Sequence, residues 1–160
     1  NCGIYLLGKA GLTGTHVTEL PRLYAQASVR KDAEFLKYVY AIIYVESRFN
    51  KQAVSDKGAR GLMQLTEPAI QDSRKYCTIA AKNSNKLFDS HQNVKLGSCY
   101  LSKMLADSDN AYDVAVVAYN GGQVQANKYE RDENIAGESA NYLIQVQRAI
   151  KMCETNEVQK

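Results

Sequence analysis

The sequence contains no tryptophan and only two histidines, His16 and His91, among 160 residues. That leaves little material for a histidine-centred triad, and no nucleophile motif accompanies either residue. Cys77, His91 and Cys99 lack the spacing of zinc ligands and have no fourth partner. No run is long and apolar enough to cross a bilayer. No Gly-Lys-Ser/Thr follows the glycine-rich segment and no strand pattern precedes it, which excludes a phosphate loop. Gly58-Ala59-Arg60-Gly61 matches the clamp loop of an RNA-binding KH module in letters alone, because the alternating strands are absent. Net charge is small, +3 from 20 basic and 17 acidic residues. It argues against a nucleic-acid partner and suits, mildly, a polyanionic surface. There is no internal repeat and no low-complexity tract.

What is present fits one domain with a substantial core. Eleven tyrosines and three phenylalanines supply the aromatic surface. Tyrosine offers a flat apolar face with a polar tip, suited to sugar rings as well as to packing. Four cysteines, Cys2, Cys77, Cys99 and Cys153, are an even set without Cys-x-x-Cys spacing. In an oxidising compartment they read as two disulfides with three possible pairings, of which Cys77–Cys99 plus Cys2–Cys153 is preferred. The alternative is free thiols buried in a cytosolic protein. The chain starts at Asn1 without a Met and without a signal-like run, which predicts a processed or trimmed chain.

Apolar periodicity predicts helices throughout. Residues 1–14 hold four glycines and read as an irregular leader. Thr18 is placed to cap a helix from Glu19 towards Val29 with Pro21 in its first turn, packed on the outside of the core. Asp32 caps a helix ending near Glu46, and Ser47 to Lys57 is a polar turn leading into Gly58–Leu65. Glu67-Pro68 opens a short helix to about Tyr76, and Cys77 to Leu87 reads as an exposed loop. Asp89 or Ser90 caps a helix to Ala106 with Val94, Leu101, Met104 and Leu105 as its stripe and Gly97 at a close contact. Ala111–Tyr119 is apolar all round over Val114–Ala118 and should be the buried centre. Asn120-Gly121-Gly122 ends that helix, a short helix follows over Gln123–Tyr129, and a last one runs from Gly137 to about Met152. The fold class is mainly α.

Glu46 is out of place in this pattern. Phe35, Val39, Ile42 and Ile43 mark the buried face of their helix, and Glu46 continues it one turn beyond Ile42. Burial disfavours the charged carboxylate, and the carbonyl end of a helix acts in the same direction. A carboxyl that keeps its proton near neutral pH is equipped to be a general acid. The plain alternative is a glutamate at a frayed helix end, turned to water.

Four short motifs then occur in order: Glu46-Ser47, Gly58-Ala59-Arg60-Gly61-Leu62-Met63-Gln64-Leu65, Ala118-Tyr119-Asn120-Gly121-Gly122, and Glu138-Ser139-Ala140-Asn141-Tyr142. Together they resemble the catalytic domain of lytic transglycosylases of the soluble, goose-type-lysozyme-like class. The last motif has Ser139 where the family pattern has threonine. The resemblance covers about Phe35 to Ile150. It implies a lysozyme-like fold, with a helical lobe and a small lobe flanking a saccharide cleft. It also implies one unit over 1–160, divided into a leader and helix (1–31) and a catalytic core (32–153).

The resemblance further implies a reaction. One acid/base, Glu46, would cut the bond between N-acetylmuramic acid and N-acetylglucosamine and leave a 1,6-anhydro end, without metal or organic cofactor. Ser47 would bond near the substrate N-acetyl group. Met63 and Gln64 would line the cleft beside the acid, Tyr119 and Asn120 would face the adjacent sugar, and Tyr142 would point its hydroxyl at the catalytic centre. Glu138 would hold the last helix in place. The implied partner is the peptidoglycan glycan strand, met by a monomer in the periplasm or outside the cell. Proteins of a secretion or conjugation apparatus, or phage entry, are a further implied context, with Thr15–Arg30 as a removable docking segment. Two alternatives stand beside this reading. One is a hydrolytic muramidase in which Asp56 positions water, although Asp56 also fits a solvated turn; Asp72 and Asp89 fit a helix surface and a cap. The other is a non-catalytic wall-binding or assembly module.

Overall fold

Asp32 begins the central helix pair. Its carboxylate accepts the Phe35 N–H at 3.0 Å and caps α3 (Ala33–Ser47). The apolar face of α3 is fully sequestered, with Phe35, Val39, Ile42 and Ile43 at 0% exposure. It packs on α7 (Gly137–Val158), which in turn packs on α6 (Tyr112–Glu130). Asp89 caps α5 (Ser90–Asp107) through the Gln92 N–H at 2.9 Å, and α5 lies along α6. Ala115–Ala118 of α6 are wholly buried, so this helix is the centre of the domain as its all-round apolar sequence requires. The computed structural model describes residues 2–14, 16–73, 75–77 and 84–158. Among them are seven α-helices, one short 3-10 turn (Ser84–Phe88) and no sheet beyond two isolated bridges.

Residues 1–14 depart from the expectation of an irregular leader. They contain α1 (Cys2–Lys9), with Leu6 and Leu7 at 0% exposure against α3 and α7. Two large apolar side chains next to a cystine outweigh the local cost of Gly3 and Gly8 in a helix. The next helix, α2 (His16–Ala27), starts earlier than the Thr18 cap would place it and does not sit outside the core. Tyr24 and Ala27 are each 3% exposed and belong to the main apolar cluster. Thr15–Arg30 is therefore not removable without opening that cluster; Thr15 itself lies outside the described residues. Of the expected loop at 77–87, positions 78–83 are outside the described residues, and Leu87 is buried rather than exposed.

A second, smaller apolar cluster joins Leu65, Ile70, Cys77, Leu87 and Leu96 under α4 (Glu67–Ser73) and the 3-10 turn. This cluster and the loop at 48–66 make a small lobe beside the helical body. The break expected after Tyr119 is a kink inside α6 at Gly122, whose backbone (φ 78, ψ 177) is open essentially to glycine alone. Helix α7 continues past Met152 to Val158.

The two disulfides are Cys2–Cys153 and Cys77–Cys99, the preferred pairing. The first ties α1 to α7 across a sequence separation of 151, and the second staples the small lobe to α5 across 22. In the chain-entropy view the longer loop restrains the unfolded chain more. Replacing Cys2 and Cys153 by serine should cost about 5 kcal/mol, against about 3 kcal/mol for the Cys77 and Cys99 pair. Urea unfolding of the two double variants measures both, and an equal or reversed ranking would contradict this account.

Candidate active site

Helix α3 delivers Glu46 in its last turn, half-buried, into a cleft of about 670 Å³ between the helical body and the small lobe. Arg48 (φ 51) and Phe49 (φ 63) then turn the chain sharply out of the helix. Phe49 is anchored by stacking on Tyr24, with ring centroids 6.2 Å apart. The following loop folds back on itself through paired Arg60 and Leu65 backbone bonds, each 3.0 Å. This return brings Gln64 to the cleft opposite the acid. Gln64 sits at φ 47, and its amide donates to the carbonyls of Gly61 (3.0 Å) and Ala53 (3.1 Å).

Tyr119 and Asn120 reach the same cleft from α6. The Tyr119 hydroxyl donates to the Met63 carbonyl at 2.9 Å, and Asn120 accepts from the Ser139 hydroxyl at 3.0 Å. Tyr142 approaches from α7 behind the acid. Its buried hydroxyl interacts with the Glu46 carboxyl, although the pair does not reach full hydrogen-bonding geometry. Burial and the negative charge of Glu46 hold both phenols well above their ordinary pKa, so each remains a protonated donor.

Desolvation dominates at Glu46 and pushes its carboxyl up to about 7. The Tyr142 hydroxyl opposes that rise, and the charge of Glu138 adds to it. Glu138 is itself exposed and paired with Lys57 at 3.0 Å, an ion pair joining the start of α7 to the loop at the rim of the cleft. Asp56 is exposed on the same rim. Asp72 lies on the wall formed by α4 and pairs with Lys75.

Glu46, Gln64, Tyr119 and Asn120 thus come together around one cavity, with Tyr142 directly behind the acid. Two expected contacts fall elsewhere. Met63 does not line the cleft: its side chain is 0% exposed and packs on α5. The Ser47 hydroxyl is directed away from the cavity and donates to the Leu62 carbonyl at 2.8 Å. Both stand behind the wall because the loop must be pinned before it can present Gln64. Sequence reasoning missed Tyr100, whose ring meets that of Tyr119 at 5.3 Å and extends the aromatic wall. It also missed Asn93, a wholly buried amide on α5. A polar residue beside Val94 on an otherwise apolar face was the available signal. Among the described residues no group of three or more His, Cys, Asp or Glu side chains is arranged to hold a metal, and Cys77 and Cys99 are bonded to each other.

A family model described as the transglycosylase SLT domain matches residues 24–142. The chain is similar to membrane-bound lytic murein transglycosylase C of Photorhabdus laumondii, 36% identical over 109 residues, covering 62% of this chain and 30% of that protein. It is also similar to membrane-bound lytic murein transglycosylase F of Photobacterium profundum, 34% identical over 92 residues, covering 54% of this chain and 16% of the relative. The chain therefore spans less than a third of the length of these relatives. Among solved structures, the 70 kDa soluble lytic transglycosylase of Escherichia coli superposes with a TM-score of 0.74 at 21% identity, over 85% of this chain and 24% of that one. The lytic transglycosylase Slt of Pseudomonas aeruginosa, solved as an inactive mutant, gives 0.61 at 23% identity over 87% of this chain and 22% of its own. These two likenesses establish the shared fold.

The desolvation of Glu46 has a signature independent of any activity. Its folded pKa, about 7, lies above the ordinary 4.5, so the folded state holds the proton more tightly than the unfolded chain. Stability from this group is therefore retained below about pH 4.5 and lost as pH rises through about 7. Glu46→Gln should match the parent at about pH 4 and exceed it by about 1–3 kcal/mol at about pH 8. Denaturant unfolding at the two pH values checks this, and an equal difference at both would show Glu46 to be solvated.

Proposed function

The chain belongs to the transglycosylase SLT domain family, and from that premise we propose that its cleft is the active site of a peptidoglycan lytic transglycosylase. The observation that carries the reading is the half-buried Glu46 carboxyl, raised to about 7, in one cavity with Gln64, Tyr119 and Asn120. Glu46 donates its proton to the oxygen joining C1 of N-acetylmuramic acid to O4 of N-acetylglucosamine. The C1–O4 bond breaks, and the substrate N-acetyl group assists at C1. The muramic acid C6 hydroxyl then attacks C1, and its proton passes to the Glu46 carboxylate. A 1,6-anhydro ring closes, no water is consumed, and the acid is regenerated. The intramolecular nucleophile supplies proximity, so the protein has chiefly to hold the ring in place. Gln64, Asn120 and the Tyr119–Tyr100 wall are the groups that do so, and the Tyr142 donor steadies the carboxylate between its two roles.

The proposed unit of activity is the whole of 1–160, since α1 and α2 share the core with the helices that carry the site. Two disulfides support an extracytoplasmic setting, periplasmic or secreted. No helix among the described residues is long and apolar enough to cross a membrane. The narrower proposal, local wall opening for a secretion or conjugation apparatus, is supported by exposed Leu23 (52%) on α2 and exposed Val29 (39%) just beyond it. A hydrolytic muramidase is the second reading, because Asp56 borders the same cleft as Glu46 and is a carboxylate that could orient water.

Glu46→Gln should lower lysis of purified walls by at least about 10²-fold while the protein stays folded. Mass spectrometry of the parent's products should show ends lighter by one water than reducing ends. Reducing ends would instead select the hydrolytic reading, and near-normal lysis by the variant would remove Glu46 from the mechanism. The neighbours of the acid give a second expectation. Tyr142→Phe removes an interaction that lowers the Glu46 pKa, so the alkaline limb of the pH–rate profile should move up. Glu138→Gln removes a nearby negative charge, so the limb should move down. Initial rates between about pH 5 and pH 9 record both, and shifts of one sign for the two variants would contradict the assignment.

A further inference from the structure

Asn93 takes no part in the cleft, yet its side chain is at 0% exposure and fully engaged. Its oxygen accepts the Met63 N–H at 2.8 Å, and its amide nitrogen donates to the carbonyls of Leu87 (2.9 Å) and Arg60 (3.0 Å). A buried amide with every bond made is stiff, and removing it would strand the backbone groups it serves. Of these, the Arg60 carbonyl has a second partner in the Leu65 N–H at 3.0 Å. One turn along α5, Gly97 receives the Met63 side chain: a Cβ there would lie 2.5 Å from its sulfur and 2.9 Å from its Cβ. Gly61 is shaped to the same amide, since a Cβ on it would fall 2.2 Å from Asn93 Nδ2. Met63 is thus held by α5 through both its backbone and its side chain. The residue after it is Gln64 in the cleft, and its own carbonyl is the acceptor for Tyr119.

We propose that Asn93, together with Gly97, is a positioning site on α5 that sets where Gln64 and Tyr119 stand relative to Glu46. This rests on the transglycosylase reading of the cleft. Asn93 touches no reacting atom; it acts through the peptide of Met63. Without its acceptor the Met63 N–H has no partner, the loop moves to find water, and both cleft residues move with it. Small displacements of positioning groups lower the chemical step far more than they lower affinity.

The test compares Asn93→Leu, of similar volume and without hydrogen bonds, with Val94→Ala, a purely apolar core loss at the neighbouring buried position. Rates are taken on purified walls well below each melting temperature and expressed per folded molecule. Asn93→Leu should lose at least about 10-fold in kcat with KM changed by less than about 3-fold, while Val94→Ala keeps both within about twofold. A kcat for Asn93→Leu within twofold of the parent overturns the proposal. If Asn93→Leu does not fold, Gly97→Ala applies the same displacement from the side-chain end of Met63 and must show the same kcat loss. If the parent protein does not act on walls, the transglycosylase reading falls, and amide hydrogen exchange then judges the tether alone. Exchange across residues 60–65 should speed up by more than about 10-fold in Asn93→Leu and not in Val94→Ala. Unchanged protection there overturns the tether as well.

Discussion

One peptide plane, between Leu62 and Met63, is held from two sides. Its carbonyl accepts from Ser47 at the end of α3, and its N–H is taken by Asn93 of α5. The next carbonyl along accepts from Tyr119 of α6. Three helices are therefore registered through a single turn of chain. Ser47 is the neighbour of Glu46, so the same contact that fixes the loop fixes its distance from the acid. The cleft follows from this arrangement: one wall ends in the acid, the other begins with Gln64, and the spacing between them is set by buried hydrogen bonds that water does not compete for.

The acid's chemistry has a separate source. Glu46 lies on the stripe that buries Val39 and Ile42, and its carboxyl inherits the low polarity of that stripe. Desolvation then outweighs the stabilising approach of Tyr142 and raises the group to about 7. The two buried tyrosines remain protonated for the same reason, Tyr119 donating to the Met63 carbonyl and Tyr142 facing the Glu46 carboxyl. Apolar packing and the raised carboxyl are two consequences of one helix face. The exposed Lys57–Glu138 pair contributes little to stability by comparison, and its influence on the site is electrostatic.

The two cystines divide the work of holding the lobes. Cys2–Cys153 closes the helical body by joining its first and last helices, and Cys77–Cys99 secures the small lobe to α5. Among the described residues, the small lobe's cluster holds a few buried side chains, Leu65, Ile70, Leu87 and Leu96 among them. A cluster of that size has limited apolar area to bury, and a covalent link offsets the shortfall. The lobe that carries Gln64 is thus kept against the body that carries Glu46 and Tyr119.

Much of this was legible along the chain. The capped starts at Asp32 and Asp89, the stripe that makes Glu46 anomalous, the all-round apolar run of α6 and the four ordered motifs are local patterns. Each is set by residues within a few turns of one another. Other features were decided only in three dimensions. Cys2–Lys9 became a helix with one buried face because Leu6, Leu7 and Cys2 found partners on α3 and α7, against the local signal of their glycines. Met63 and Ser47 turned inward because the loop needed anchoring there, although their motifs placed them beside the acid. Asn93 gained its role from carbonyl and amide groups up to 33 residues away in sequence. Periodicity records which face of a helix avoids water; it carries no information about which distant backbone groups that face will meet, and those meetings are what aim the side chains in the cleft.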